Sequence, residues 1–400
     1  LTTKKTTTDS VLRQFRKYVI GNYTRLSLVI VRGKGSHVWD SLGRKYLDLF
    51  PGWAVSGIGH CHPRVVRAVR EQAGKLIHVA NNYYSLPQGE LAERLSRHSF
   101  GGKCFFCNSG AEANEGAIKL ARLATNPGRG GIVTMFNSFH GRTLATITAT
   151  AQPKYQKGFE PLPGGFRYVP FNDINALERA VDDRTSAVML EPIQGEGGIH
   201  VAGASYLKAV RKLCDRRKVL LIFDEVQTGM GRTGEYFAYQ LYDVLPDIMT
   251  LAKALGGGTA IGAMVAKPEI AAKLVPGTHA STFGGNALAT AAACAVFDAI
   301  EKEKLLGNTR KMSAYAFRKL GELRKRHKVI REVRGRGLMI GIELAKSGAG
   351  VVDRCRGKGV LINCTHETVL RLMPPMTVTK KEIDLGISVL DEALTEEFGS

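Results

Sequence analysis

The stretch Val219-Leu220-Leu221-Ile222-Phe223-Asp224-Glu225-Val226-Gln227 decides the fold. An apolar, β-branched and aromatic run of strand length ends abruptly on a carboxylate, which is the pattern of a strand buried on both faces. Segments of the same kind lie on either side. Cys104 to Asn108 leads into a helical stretch reaching Ala124, Ile132 to Phe136 is strand-like, and Ala187 to Glu191 precedes a helical stretch from Tyr206 to Arg217. Strands alternating with helices predict an α/β fold: a large, mainly parallel sheet with helices on both faces and functional groups gathered at the strand ends. After Ile300 the pattern changes to a charged helix and then, from Val329 to Glu343, to two strands joined by glycines. We therefore expect a large domain over 51–305 and a smaller α+β domain over 306–400, joined by an N-terminal segment, 1–50. Thr379-Lys380-Lys381-Glu382 has capping-box spacing, and Ile383, Ile387, Leu390 and Leu394 share one face of the helix it opens.

Downstream of Asp224, Lys253 sits in Leu251-Ala252-Lys253-Ala254-Leu255-Gly256-Gly257-Gly258, where little else explains a charge. A lysine amine that carries an aldehyde as a Schiff base, with an aspartate keeping a pyridine nitrogen protonated, is the pairing pyridoxal 5'-phosphate requires. Either residue alone also reads as a strand-end carboxylate or a snorkelling lysine. Its neighbours strengthen the first reading. Asn108-Ser109-Gly110-Ala111-Glu112 lies where a strand gives way to a helix, so Ser109, Gly110 and Ala111 form a candidate phosphate cup, although a serine there is also an ordinary N-cap. Phe139 could cover one face of a ring and Val226, on the Asp224 side of the strand, the other. Gln227 could reach the ring oxygen, and Arg142 could grip a substrate carboxylate. His140 is given no role.

Composition narrows the remaining classes. With 400 residues, 44% hydrophobic and 23% charged, the chain has the make-up of an ordinary globular protein. No apolar run reaches the ~18 residues of a membrane span. Leu1 to Ser10 is polar and reads as a frayed tail without a secretory signal. A transit-peptide remnant would share its threonine-rich, basic character, so the expectation is a cytoplasmic protein, or one of the mitochondrial matrix in a eukaryote. Seven scattered cysteines do not suggest a disulfide framework. Cys104-Phe105-Phe106-Cys107 lacks the second pair of a zinc site, and His60-Cys61-His62-Pro63 is an incomplete ligand set, so no metal is expected. The net charge of +20 would suit nucleic acid or acidic substrates. Its clusters, such as Arg216-Arg217-Lys218 and Arg324-Lys325-Arg326-His327-Lys328, carry no base-reading motif, which disfavours nucleic acid.

Taken together, these blocks resemble the subgroup III aminotransferases of pyridoxal phosphate fold type I, from Asn22 to Gly399. The resemblance is carried by Phe106 to Glu115, Phe139-His140-Gly141-Arg142-Thr143, Glu191 to Gly198, Phe223 to Gly229 and Ala252 to Gly258. It implies Lys253 as the Schiff-base lysine and proton carrier, Asp224 at the pyridine nitrogen, Gln227 near the ring oxygen and Phe139 over the ring. Arg142 would take the substrate α-carboxylate. Thr282, in Ser281-Thr282-Phe283-Gly284-Gly285-Asn286, would reach the phosphate of a neighbouring subunit in a homodimer with shared active sites.

The resemblance further implies that Glu196 pairs with Arg371 while an amine substrate is bound, and releases it to hold the distal carboxylate of glutamate or 2-oxoglutarate. The implied reaction is a ping-pong transfer of the terminal amine of N2-acetylornithine to 2-oxoglutarate, as in arginine biosynthesis. Members acting on ornithine tend to carry tyrosine where this chain has Trp53, and those acting on N-acetylornithine a small aliphatic residue. Tyr23 is compatible with ornithine, and Thr259-Ala260 departs from the usual distal wall. Ornithine, another ω-amine, a carrier-bound lysine-pathway substrate and a semialdehyde mutase reaction remain alternatives.

Overall fold

The computed structural model describes residues 8–125 and 127–399. Its largest sheet has seven strands in the spatial order Lys103–Cys107, Gly262–Ala266, Ile248–Leu251, Leu220–Asp224, Thr185–Leu190, Gly131–Met135 and Phe166–Val169. Gly262–Ala266 runs antiparallel to both of its neighbours, and the other pairings are parallel. The sheet is the mainly parallel one that the alternating pattern predicts.

Strand alternation divides the core into two layers. Leu221 and Phe223 face the larger cluster with Val188, Leu190, Val133, Met135 and the helices bearing Leu91, Leu95 and Val296. Ile222 points the other way, with Ile248, Met189 and Ile132, against Ala117, Ile118 and Ala121 of the helix Gly110–Thr125. Asp224 shares the parity of Ile222. The strand Leu220–Asp224 therefore delivers its carboxylate to the side on which the helix Gly110–Thr125 packs.

A second, four-stranded sheet contains Ile330–Arg336, Met339–Leu344, Val369–Leu372 and Asn363–Thr365. The C-terminal helix Lys380–Phe398 covers it, with Thr379 and Glu382 forming the expected capping box and Ile383, Ile387, Leu390 and Leu394 buried. The N-terminal strand Lys45–Asp48 pairs in parallel with Val360–Leu361, which puts Leu47 and Leu49 in this same core. Two sequence expectations need correction. Thr8–Tyr18 is a helix, so the end of the stretch read as a frayed tail is ordered, while residues 1–7 lie outside the described residues. Val226 lies in the turn after Asp224 and not on the strand. Cys104 and Cys107 lie on one strand, and burial pushes both thiols up to about 12.

Candidate active site

A cavity of about 400 Å³ opens at the C-terminal ends of the parallel strands. Ser109, Gly110 and Ala111 line it from the start of the helix Gly110–Thr125, Phe139 and Arg142 from the loop after Gly131–Met135, and Asp224, Val226 and Gln227 from the end of Leu220–Asp224. Lys253 enters from a single 3₁₀ turn, Lys253–Gly256. Nine predicted residues thus converge on one space.

Asp224 is fixed by three donors. Asn114 Nδ2 and His140 Nδ1 each lie 2.8 Å from its Oδ2, and the Val226 backbone N–H donates to its Oδ1 at 3.0 Å. Asn114 also donates to the His140 carbonyl at 2.7 Å, while Thr250 Oγ1 donates to the Asn114 Oδ1 at 2.7 Å. The neighbouring strand Thr185–Leu190 is directly followed by a buried carboxylate as well. Glu191 accepts the Phe139 N–H at 2.9 Å and the Gly195 N–H at 3.0 Å. Burial pushes its carboxyl upward; His140 opposes this and Asp224 adds to it.

Lys253 has a backbone φ of 45°, the left-handed region that a side chain normally avoids, and such strain persists where the surroundings impose it. Burial lowers the pKa of its amine, only partly countered by Glu196, Asp224 and Glu191, and Arg371 lowers it further. At the helix start, the Glu112 N–H donates to Ser109 Oγ at 3.2 Å, so this hydroxyl is also an N-cap. Both readings of Ser109 hold at once. A side chain on Gly110 would bring its Cβ within 2.9 Å of a Val226 methyl, which explains a glycine at the floor of the cup.

Five predicted residues lie outside this lining. Glu196 and Arg371 form a buried ion pair beside it, 2.6 Å apart, with Gln227 Nε2 at 3.5 Å from Glu196. Burial would raise the Glu196 carboxyl, but Arg371, with smaller help from Lys253 and Gln227, holds the group below its ordinary value. Arg371 is 1% exposed; it donates to Asn363 Oδ1 and the Gly195 carbonyl and stacks on Phe50 at 4.7 Å. Trp53 lies edge-on to Phe50 at 6.0 Å and faces a neighbouring cavity of about 400 Å³ that Asn363 and Arg356 also line. Tyr23 is 65% exposed and meets only the Arg25 guanidinium among ring contacts of the described residues. Thr282 is exposed, in a loop joined to Asn108 through Ser281.

Arg142 has no carboxylate partner among the described residues, and its guanidinium lies 4.2 Å from the Tyr155 ring and 5.4 Å from that of Phe139. It is an aromatic-braced cation ready for an anion. Asn114, Glu191, Tyr155 and Val55 escaped the sequence reading, as did the contact of His140 with Asp224. Two signals were available: Asn114 is a polar residue on the apolar face shared by Gly110, Ala117 and Ala121, and Glu191 is a carboxylate placed directly after an apolar strand.

The cavity suits pyridoxal phosphate on its own terms. Among the described residues, the partly buried Lys253 lacks a salt-bridge partner, and the Gln227 Oε1 and His140 Nε2 atoms are buried without hydrogen-bond partners. A strand-end aspartate held by three hydrogen-bond donors and an anion cup at a helix start complete the set. Such a constellation on a mainly parallel sheet defines a pyridoxal phosphate-dependent aminotransferase.

The chain belongs to the class-III aminotransferase family, whose model, "Aminotransferase class-III", matches residues 18–394. It is 55% identical over 385 residues to the acetylornithine aminotransferase of Methanocaldococcus jannaschii, covering 95% of this chain and 97% of that protein. To the acetylornithine aminotransferase of Caldanaerobacter subterraneus it is 54% identical, with 95% and 98% covered. Among solved structures, an ornithine aminotransferase from Toxoplasma gondii matches with a TM-score of 0.94 at 33% identity, covering 98% of this chain and 95% of that one. An N-acetylornithine aminotransferase from Stenotrophomonas maltophilia matches with a TM-score of 0.83 at 40% identity, with 96% and 98% covered.

Proposed function

We propose that this enzyme moves the terminal amino group of N2-acetylornithine to 2-oxoglutarate, giving N-acetylglutamate 5-semialdehyde and glutamate, in two alternating half-reactions. The observation that carries this reading is the buried Glu196–Arg371 pair beside Gln227, whose charges both act on Lys253. A donor reacting at its terminal amine has no charge next to the reacting carbon, and Glu196 then neutralises Arg371. A 2-oxo acid has a carboxylate at that carbon, which displaces Glu196 and takes Arg371. An unpaired buried arginine is avoided in both states. Because Arg371 acts on Lys253, we assign it the carboxylate beside the reacting carbon. Arg142, at the aromatic-braced rim, takes the far one in both half-reactions. This reverses the division of the two carboxylates expected from sequence.

When bound, pyridoxal phosphate supplies a carbonyl that takes up the amine and a ring that accepts electrons. Asp224 would hold a proton on the ring nitrogen, Ser109, Gly110 and Ala111 the phosphate, Phe139 and Val226 the two ring faces, and Gln227 the ring oxygen. Lys253 Nζ moves the proton at the reacting carbon, and its lowered pKa leaves more neutral amine to act as base. In this reading the active unit is a homodimer in which Thr282 reaches the phosphate site of the other subunit. Exposed Tyr84, Leu86 and Phe283, near the Thr282 loop in sequence or space, support such an interface. Division into units near residues 50 and 305, a cytoplasmic location, and a distal substrate wall including Trp53 and Tyr23 belong to the same reading. Among the described residues no helix is long and apolar enough to cross a membrane.

The test is rapid mixing of the yellow holoenzyme, separately, with N-acetylornithine, ornithine and 4-aminobutyrate, following the visible cofactor band. Fast loss of the band with N-acetylornithine alone is the expected result. A faster response to ornithine would transfer the assignment to that donor, the reading favoured by the match to the ornithine aminotransferase structure.

A further inference from the structure

Arg232 and Arg371 are the largest fully buried side chains among the described residues, each 1% exposed. The Nη1 of Arg232 donates to the carbonyls of Leu338, at 3.2 Å, and Pro374, and the Leu338 N–H returns to the Arg232 carbonyl at 3.0 Å. No carboxylate pairs with it among the described residues, and its Nε and Nη2 lack partners. Burial pushes this guanidinium down to about 10. A buried charge without a counter-charge is poorly suited to general stability, because an apolar side chain of similar volume would serve that end better. Its retention points to a geometric task.

The two ends of this contact indicate the task. Arg232 lies in the loop that continues from Asp224, Val226 and Gln227, three residues that line the cavity. Pro374 lies two residues past the strand Val369–Leu372, which carries Arg371, and Leu338 immediately precedes its neighbour, Met339–Leu344. The same segment is held again where the Met373 N–H donates to the Leu49 carbonyl and the Met376 N–H to the Gly57 carbonyl, both at 2.7 Å. A side chain on Gly231 would run into Met376, and one on Gly337 into the Arg232 carbonyl, so both glycines keep the approach close.

We propose that Arg232 is a positioning residue for Arg371, tying the strand that carries it to the loop that holds Asp224 and Gln227. The guanidinium of Arg371 then keeps its place while Glu196 and a substrate carboxylate exchange, and the exchange is confined to side chains. This inference rests on the proposed role of Arg371.

The experiment uses holoenzyme carrying Arg232→Met or Arg232→Lys in a Trp39→Phe background, which leaves Trp53 as the sole tryptophan. Trp53 contacts Phe50, on which Arg371 stacks, so its emission reports the position of Arg371 without any substrate. The expected result is an about tenfold rise in Kd for 2-oxoglutarate, a donor half-reaction changed by less than about twofold, and shifted Trp53 emission, all smaller in Arg232→Lys. Phe237→Leu, a buried change elsewhere, should lower yield without this split. Parallel loss in both half-reactions with Trp53 emission unmoved would overturn the proposal. If Arg232→Met does not fold, Arg232→Lys decides by the same criteria. Wild-type enzyme that refuses 2-oxoglutarate would overturn the proposed function, and the emission shift would then decide the clamp by itself.

Discussion

Asn114 donates to the Asp224 carboxylate at 2.8 Å while its own carbonyl oxygen accepts from Thr250 at 2.7 Å. Asn114, on a helix that packs on one face of the sheet, thereby joins a neighbouring strand to the group that would hold the cofactor ring nitrogen. The aspartate has no freedom to turn away.

Removing that link should be felt at a distance from the substrate. Asn114→Ala leaves the Thr250 hydroxyl and the His140 carbonyl without this partner, and a lost buried partner costs about 1–3 kcal/mol. We expect a lower melting temperature and faster loss of the visible cofactor band on dialysis, with little change in the KM for either substrate. Unchanged cofactor retention would show that Asn114 does not orient Asp224.

Arg142 should serve both half-reactions, and the Glu196–Arg371 pair should separate them. Arg142→Lys keeps the charge but loses the planar fork, and should raise the KM for both N-acetylornithine and 2-oxoglutarate by about 10- to 100-fold. Glu196→Ala leaves Arg371 buried and unpaired, which costs about 3–5 kcal/mol of stability and should weaken donor binding while sparing 2-oxoglutarate. Single-turnover rates measured with each substrate check both outcomes.

Lys253 gives a pH signature in the apoenzyme. Its folded pKa is lowered from 10.5, so between the lowered value and 10.5 the unfolded chain binds more protons than the folded one. In that window stability rises with pH. Lys253→Met, which also abolishes turnover, should flatten this rise and be more stable than wild type near pH 8, with the difference fading above 10.5. Urea unfolding of both apo proteins between pH 7.5 and 10 provides the comparison; parallel curves would contradict it.

The phosphate cup can be tested by steric exchange. Gly110→Ala places a methyl 2.9 Å from Val226 and should impair cofactor binding. Adding Val226→Ala removes the clashing methyls, and recovery of at least half the lost affinity is expected from cofactor titration of the apo proteins. A double variant no better than the single would locate the fault in the backbone.

Much of this site could be read from the chain because it is built from local signals. An apolar run ending on Asp224, a strand giving way to a helix at Ser109, and a lysine among small residues each state their geometry within a few positions. The network behind them was less accessible, since Asn114 meets Asp224 only after a helix has packed on one face of the sheet. The partners of Arg371 illustrate the same limit: Asn363 is set against it by the pairing of two neighbouring strands, while Phe50 comes from the distant N-terminal segment, and nothing in its own surroundings announces the contact. Val226 was expected on the strand side, but the strand stops two residues earlier at Asp224, where the Val226 N–H turns back to cap the carboxylate.

Residues 252–261 leave the sheet after Leu251 and return beside it, where Leu251 pairs with Ala263. The backbone beneath Lys253 is therefore part of a ring, closed covalently on one side and by the strand ladder on the other. Loop breathing has little to add to the reach of the amine. The arc through which the proton carrier sweeps is set by the four methylenes of one side chain pivoting on a pinned base.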